Sequence, residues 1–134
     1  DEVIADHPEI ATWAIGGHSL GGAMAAGYAA DRPDQVSGLA LWAAYPADGT
    51  DLSGSDVVAV SVFGTRDGLT SLDDIDGSRA RLPNDTDFVA IEGGNHAQFG
   101  SYGPQDGDGE AMVPPAEQQA LTVEATVRML ERLD

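Results

Sequence analysis

Cysteine is absent from the 134 residues, so disulfides and thiolate metal sites are excluded and the redox compartment is left open. Lysine is absent as well. All six basic residues are arginine, against 23 acidic ones, for a formal charge of −17. There is no basic block, so nucleic acid and anionic membranes are poor partners for this surface. No apolar run approaches the length of a membrane span, and no segment repeats. What remains is one domain, long enough to bury a core.

The acidity has a physical consequence. Mutual repulsion of this size destabilises a compact chain at low ionic strength, and molar salt screens it within a few ångströms. Combined with an ordinary apolar pattern, it points to a salt-adapted (halophilic) acidic protein, and a cytoplasmic location in a salt-accumulating cell is the expectation. The melting temperature is expected to rise between low-salt buffer and molar KCl; a flat profile would refute the reading.

Glycine is plentiful, with 17 residues, and it marks the stretch that organises the chain. Gly16-Gly17-His18-Ser19-Leu20-Gly21-Gly22 follows the apolar run Thr12-Trp13-Ala14-Ile15 and leads into Ala23–Ala30, which reads as helix. Gly17-x-Ser19-x-Gly21 across a strand-to-helix turn is the nucleophile-elbow pattern. A serine on so sharp a turn has a strained backbone, and side chains at Gly17 and Gly21 are expected to collide. Gly22, Ala23 and Ala26 are expected to let the helix sit close to the sheet. The turn lifts the Ser19 hydroxyl above the strand end and leaves the Leu20 amide, at the helix start, aimed at whatever the serine attacks.

Along the chain, Asp1 to Pro8 reads as the end of a helix, so the sequence opens inside an element and is expected to be the later part of a longer domain. Strands are expected at Thr12–Gly16, Ser37–Ala44, Val57–Gly64 and Asp87–Gly93. Ser71-Leu72-Asp73-Asp74 reads as a helix start. Pro114-Pro115 opens a last helix whose face Ala116, Ala120, Val123, Val127 and Leu130 recurs at helical spacing and is expected to turn inward. Strands alternating with helices predict an α/β fold with a parallel sheet flanked by helices. In such sheets ligands bind at the strands' C-terminal ends.

Three residue types that cooperate in acyl transfer stand at those ends. Ser19 follows the first strand, Asp67 the third, in Gly64-Thr65-Arg66-Asp67-Gly68, and His96 the fourth, in Gly93-Gly94-Asn95-His96. Serine needs a base to take its proton, neutral imidazole does this near pH 7, and a carboxylate holds the imidazole tautomer. Asp73, Asp74 and Asp76 are alternative acids, while Asp67 stands directly after its strand. The other histidines are His7, ahead of the first strand, and His18, whose side chain is expected to point away from the serine into packing. Trp42, Tyr45, Leu69 and Phe99, with Tyr102, are candidate lining residues; core packing is the competing role for Trp42 and Leu69. Asp106-Gly107-Asp108-Gly109-Glu110 superficially suits a hard cation, but it lacks the full ligand pattern and reads as a solvated acidic loop, so no metal site is expected.

These motifs resemble the α/β-hydrolase superfamily, in particular small lidless serine hydrolases with a Gly-Gly-His-Ser-Leu-Gly-Gly elbow, a Gly-Thr-x-Asp-Gly acid loop and a Gly-Gly-Asn-His-Ala-Gln-Phe-Gly histidine loop. The resemblance spans nearly the whole chain and implies the C-terminal half of that fold. It also implies a cofactor-free enzyme cleaving a carboxylic ester or related acyl compound, a small molecule, with Ser19, Asp67 and His96 as triad and Leu20 as one oxyanion donor. Serine at the elbow sets it apart from relatives with a carboxylate or cysteine nucleophile. About half of that superfamily's sheet, and its second oxyanion amide, precede the elbow and are not in this sequence. Two further expectations follow: the first strand is an exposed edge where a second copy could pair, and a non-catalytic remnant or interaction domain is the competing function.

Overall fold

A computed structural model describes residues 1–133. Four strands form one parallel sheet in the order β1 (Ala14–His18), β2 (Gly38–Trp42), β3 (Val58–Gly64), β4 (Asp87–Ile91). The register sets Ala14 beside Gly38, Gly38 beside Val58 and Val60 beside Asp87. The helices are α1 (Glu2–Asp6), α2 (Leu20–Asp31), α3 (Leu72–Ser78) and α4 (Pro115–Leu130). The parallel α/β class expected from the sequence is what the chain adopts. The first strand begins two residues later than its apolar run and includes Gly16, Gly17 and His18.

Alternation along β2 explains its continuous apolar run. Leu39 and Leu41 face α2 and pack with Ala25, Ala26, Ala29, Val36 and Leu52. Ala40 and Trp42 face the other way, where Val60, Val62, Ile91, Ala125 and Met129 form the second core. A central parallel strand needs apolar residues on both faces because both are covered. The small residues of α2 serve the same end: Gly22 and Ala26 are buried against the sheet.

The start of α3 is a reciprocal cap. Ser71 accepts from the Asp74 amide while the Asp74 carboxylate accepts from the Ser71 amide at 2.9 Å.

The last helix corrects the sequence reading. Its buried residues are Gln118, Thr122, Ala125 and Met129, whereas Ala116, Ala120, Val123, Val127 and Leu130 lie on the exposed side. Val123 is 59% exposed. The two stripes are offset by two residues, about 200° around the helix. The reason is polar. The Gln118 side chain accepts from the Asn95 amide at 3.1 Å and from the Gln98 side chain at 2.9 Å, and it donates to the Asn95 carbonyl at 2.7 Å. The loop under α4 carries backbone groups that no strand satisfies, so an amide side chain, not an aliphatic one, occupies the inward position.

Candidate active site

Ser19 is the single residue between β1 and α2, and its backbone lies at φ 55°, ψ −126°. Only a fold that over-determines this turn holds a non-glycine residue there. The Ser19 amide donates to the Trp42 carbonyl at 3.0 Å, and its own carbonyl accepts from Gly22 and Ala23. The flanking glycines are unequal. A Cβ on Gly17 would lie 2.5 Å from the Gly21 carbonyl carbon, and one on Gly22 would lie 2.6 Å from the Gly17 oxygen. A Cβ on Gly21 would meet nothing within 4 Å, which corrects the expectation that this glycine is sterically required.

Asp67 is held three residues past β3. Its side chain is fully buried; Oδ1 accepts from the amides of Leu69 (2.8 Å) and Thr70 (2.7 Å), and Oδ2 lies 2.8 Å from His96 Nδ1. With Nδ1–H donating to the carboxylate, Nε2 is left as the acceptor. Thr70 ties this loop to the end of β2 by donating its hydroxyl to the Ala43 carbonyl at 3.0 Å. Ala43 itself stands at φ 46°, a second strained residue beside the elbow. The alternative acids all lie on α3: Asp74 caps the helix and Asp76 pairs with Arg79 at 2.9 Å.

His18 goes into ring packing, and the unforeseen part is that the packing includes His96. Its ring lies 4.5 Å from that of His96, centroid to centroid, and stacks on Tyr102 and Phe99. It therefore packs directly beside the His96 ring. The Tyr102 hydroxyl meets His18 Nδ1, while Nε2 is buried without a hydrogen-bond partner. Burial, and then the adjacent His96 ring, hold the His18 pKa below its ordinary value.

The structure thus brings Asp67 and His96 into direct contact and sets Ser19 one residue from the ring that lies against His96. No hydrogen bond joins Ser19 to His96 among the described residues, a contact that commonly tightens only when substrate binds. Ser19 opens onto a cleft of about 290 Å³, lined by Leu20, Ala23, Ala43, Ala44, Tyr45, Ala47, Leu69 and Thr70. Of the expected lining residues, Tyr45 and Leu69 are there. Trp42 and Phe99 are not, which corrects their assignment. Trp42 points to the α4 face and donates to the Thr126 hydroxyl at 3.1 Å, and Phe99 is buried in the second core beneath His18. The Leu20 amide is at the first position of α2 and has no acceptor within its own helix. A larger cavity, about 720 Å³, is lined by residues between Asn95 and Gln119, Asp108 among them, and does not include Ser19.

Sequence reasoning missed Asp108. Its carboxylate accepts from one backbone amide of the acid loop, two of the histidine loop and that of its own neighbour Gly109. The signal was in plain view, an acidic residue inside a glycine-rich loop, but nothing local distinguishes it from the exposed Asp106 and Glu110. No group of three or more His, Asp or Glu side chains placed to hold a metal occurs among the described residues.

A parallel sheet with a strained serine at a strand–helix turn and a buried Asp–His pair one loop away defines a hydrolase-type α/β architecture. Residues 1–120 match the model of the alpha/beta hydrolase family, and the chain belongs to that family. Among solved structures it is similar to a predicted CIB-like hydrolase from Thermoplasma acidophilum (TM-score 0.67, 18% identity, 96% of this chain and 57% of that one). A protein of unknown function from Agrobacterium tumefaciens gives a TM-score of 0.71 at 18% identity, over 99% of this chain and 58% of that one. A thermophilic esterase from Thermogutta terrifontis gives 0.70 at 13%, over 98% and 69%. The chain therefore spans less than three fifths of the first two structures. No curated protein matches it. No helix among the described residues is long and apolar enough to cross a membrane.

Proposed function

We propose that this chain carries the catalytic triad of a serine hydrolase that cleaves carboxylic esters or related small acyl compounds, without a cofactor. The observation that supports this most directly is the fully buried Asp67 side chain, 2.8 Å from His96 Nδ1, beside a serine at φ 55°. Burying a carboxylate and an imidazole together is costly unless each satisfies the other, and this pairing leaves Nε2 as a base.

In the proposed reaction Ser19 Oγ attacks the acyl carbonyl carbon while His96 Nε2 takes its proton. Asp67 stabilises the imidazolium as it forms. The Leu20 amide donates to the developing oxyanion. The imidazolium then protonates the departing alcohol, leaving an acyl group on Ser19. Water, deprotonated by His96, releases the acid. Esterase activity of the Thermogutta protein is consistent with this reading, at an identity that speaks for fold alone.

A fluorophosphonate serine probe in molar KCl, with the modified peptide mapped by mass spectrometry, tests the proposal. The adduct is expected on Ser19 and is expected to vanish in His96→Ala. A folded chain that takes up no probe would favour the competing function, a non-catalytic interaction domain.

A further inference from the structure

We infer that Asp108 is a positioning residue for the Asp67–His96 pair, a carboxylate that fixes acid and base relative to each other by holding the backbone of both loops. The inference rests on the serine-hydrolase reading above.

The geometry is unusual for a residue in so acidic and glycine-rich a loop. Asp108 Oδ1 accepts from the amides of Gly68 (3.2 Å), His96 (3.1 Å) and Gly109 (2.8 Å), and Oδ2 accepts from the amide of Ala97 (2.8 Å). Gly68 directly follows Asp67, and the His96 amide belongs to the base itself. One side chain thus grips the residue beside the acid and the residue that carries the imidazole. Neither amide has a strand partner, so without Asp108 both would lose their protein acceptor, Gly68 at an exposed position and His96 at a part-buried one.

The surrounding contacts show that the loop is wedged in place. A Cβ on Gly109 would lie 1.8 Å from the Arg66 carbonyl oxygen, and one on Gly68 would lie 2.4 Å from that of Gly107. The Asn95 side chain donates to the Gly109 carbonyl at 2.9 Å, and Arg66 Nε donates to that of Glu110 at 3.2 Å. The solvated loop expected from the sequence is therefore, at Asp108, a strut between two loops. Burial opposes ionisation of Asp108, but the amides of Ala97, Gly68, His96 and Gly109 together outweigh it and hold the carboxyl below its usual range. It is an anion throughout the neutral range. Its recorded partners are backbone amides and not the imidazole, so it acts through the backbone.

Positioning of this kind governs the chemical step. A displacement of about 1 Å between reacting groups costs on the order of 100-fold in rate. The experiment compares wild type, Asp108→Asn and Asp108→Ala in molar KCl. It measures p-nitrophenyl acetate hydrolysis, titration of active Ser19 with the fluorophosphonate probe, and thermal melting. Turnover per titrated Ser19 is expected to fall about 100-fold in Asp108→Ala. It should fall less in Asp108→Asn, whose remaining oxygen still accepts from Gly68, His96 and Gly109, and KM should change far less than kcat. Melting of Asp108→Asn shows that a folded variant was compared even where the alanine variant fails to fold. Turnover per titrated site equal to wild type in a folded Asp108→Asn and Asp108→Ala, with only the melting temperature lowered, would overturn the inference and leave the serine-hydrolase reading standing. A wild type that takes up no probe at Ser19 would overturn both.

Discussion

Ser19→Ala is expected to lower p-nitrophenyl acetate turnover by on the order of a million-fold relative to wild type, His96→Ala by nearly as much, and the double variant by no more than either alone. The reason is that the two side chains perform one act. Ser19 Oγ is a poor nucleophile while it keeps its proton, and His96 Nε2 has nothing to activate once the hydroxyl is gone. The residual rate would come from the Leu20 amide and from binding alone. Melting curves separate this loss from unfolding. Ser19→Ala keeps the backbone of the elbow, and the Asp67–His96 contact does not involve Ser19. Retained turnover in Ser19→Ala would refute the nucleophile assignment. Losses that multiply in the double variant would mean that the two residues act on separate steps.

The second large effect falls on the fold. Gly17→Ala is expected to cost about 3 kcal/mol or more, because its Cβ would lie 2.5 Å from the Gly21 carbonyl carbon and 2.7 Å from the Gly22 nitrogen. These are backbone atoms of the first turn of α2, so no rotamer change relieves the clash. Relief requires α2 to move off β1, which would open the core around Ala25, Ala26 and Ala29. A loss of this size is a large part of a small domain's stability. Gly27→Ala is the control. It lies in the same helix with nothing within 4 Å of the added methyl, and it is expected to stabilise by up to about 1 kcal/mol through helix propensity. Urea melts of the two variants in molar KCl measure both. Equal stabilities would show that α2 is not packed as tightly on β1 as the geometry requires.

The exposed acidic surface connects with the salt dependence expected above. Arg32, Arg79, Arg81, Arg128 and Arg132 each pair with carboxylates at the surface, while Arg66 donates to a backbone carbonyl. Among the described residues, most of the acidic side chains are thus left without an arginine partner. Exposed pairs of this type contribute little each, so screening by salt is expected to outweigh any loss of these bridges.

The elements that sequence alone determined are those whose cause is local. β-branched and apolar runs marked all four strands, Ser71 and Asp74 marked the α3 cap, and Gly17-x-Ser19-x-Gly21 marked the turn. The order of Ser19, Asp67 and His96 after the first, third and fourth strands followed from the periodicity, because a parallel sheet brings every strand's C-terminal end to one edge. Tertiary structure decided what depends on groups distant in sequence. Spacing on α4 favoured the aliphatic stripe through Val123 and Val127, yet Gln118 and Thr122 face inward because the backbone of the Asn95 loop needs partners there. Trp42 was ambiguous until Thr126, 84 residues away, supplied an acceptor for its indole. Asp108 bridges two loops 40 and 12 residues away for the same reason, and His18 lies against His96, a ring contact that no local pattern announces. A buried polar group goes wherever its unpaired partners are, and a local pattern carries no information about partners brought close only by the fold.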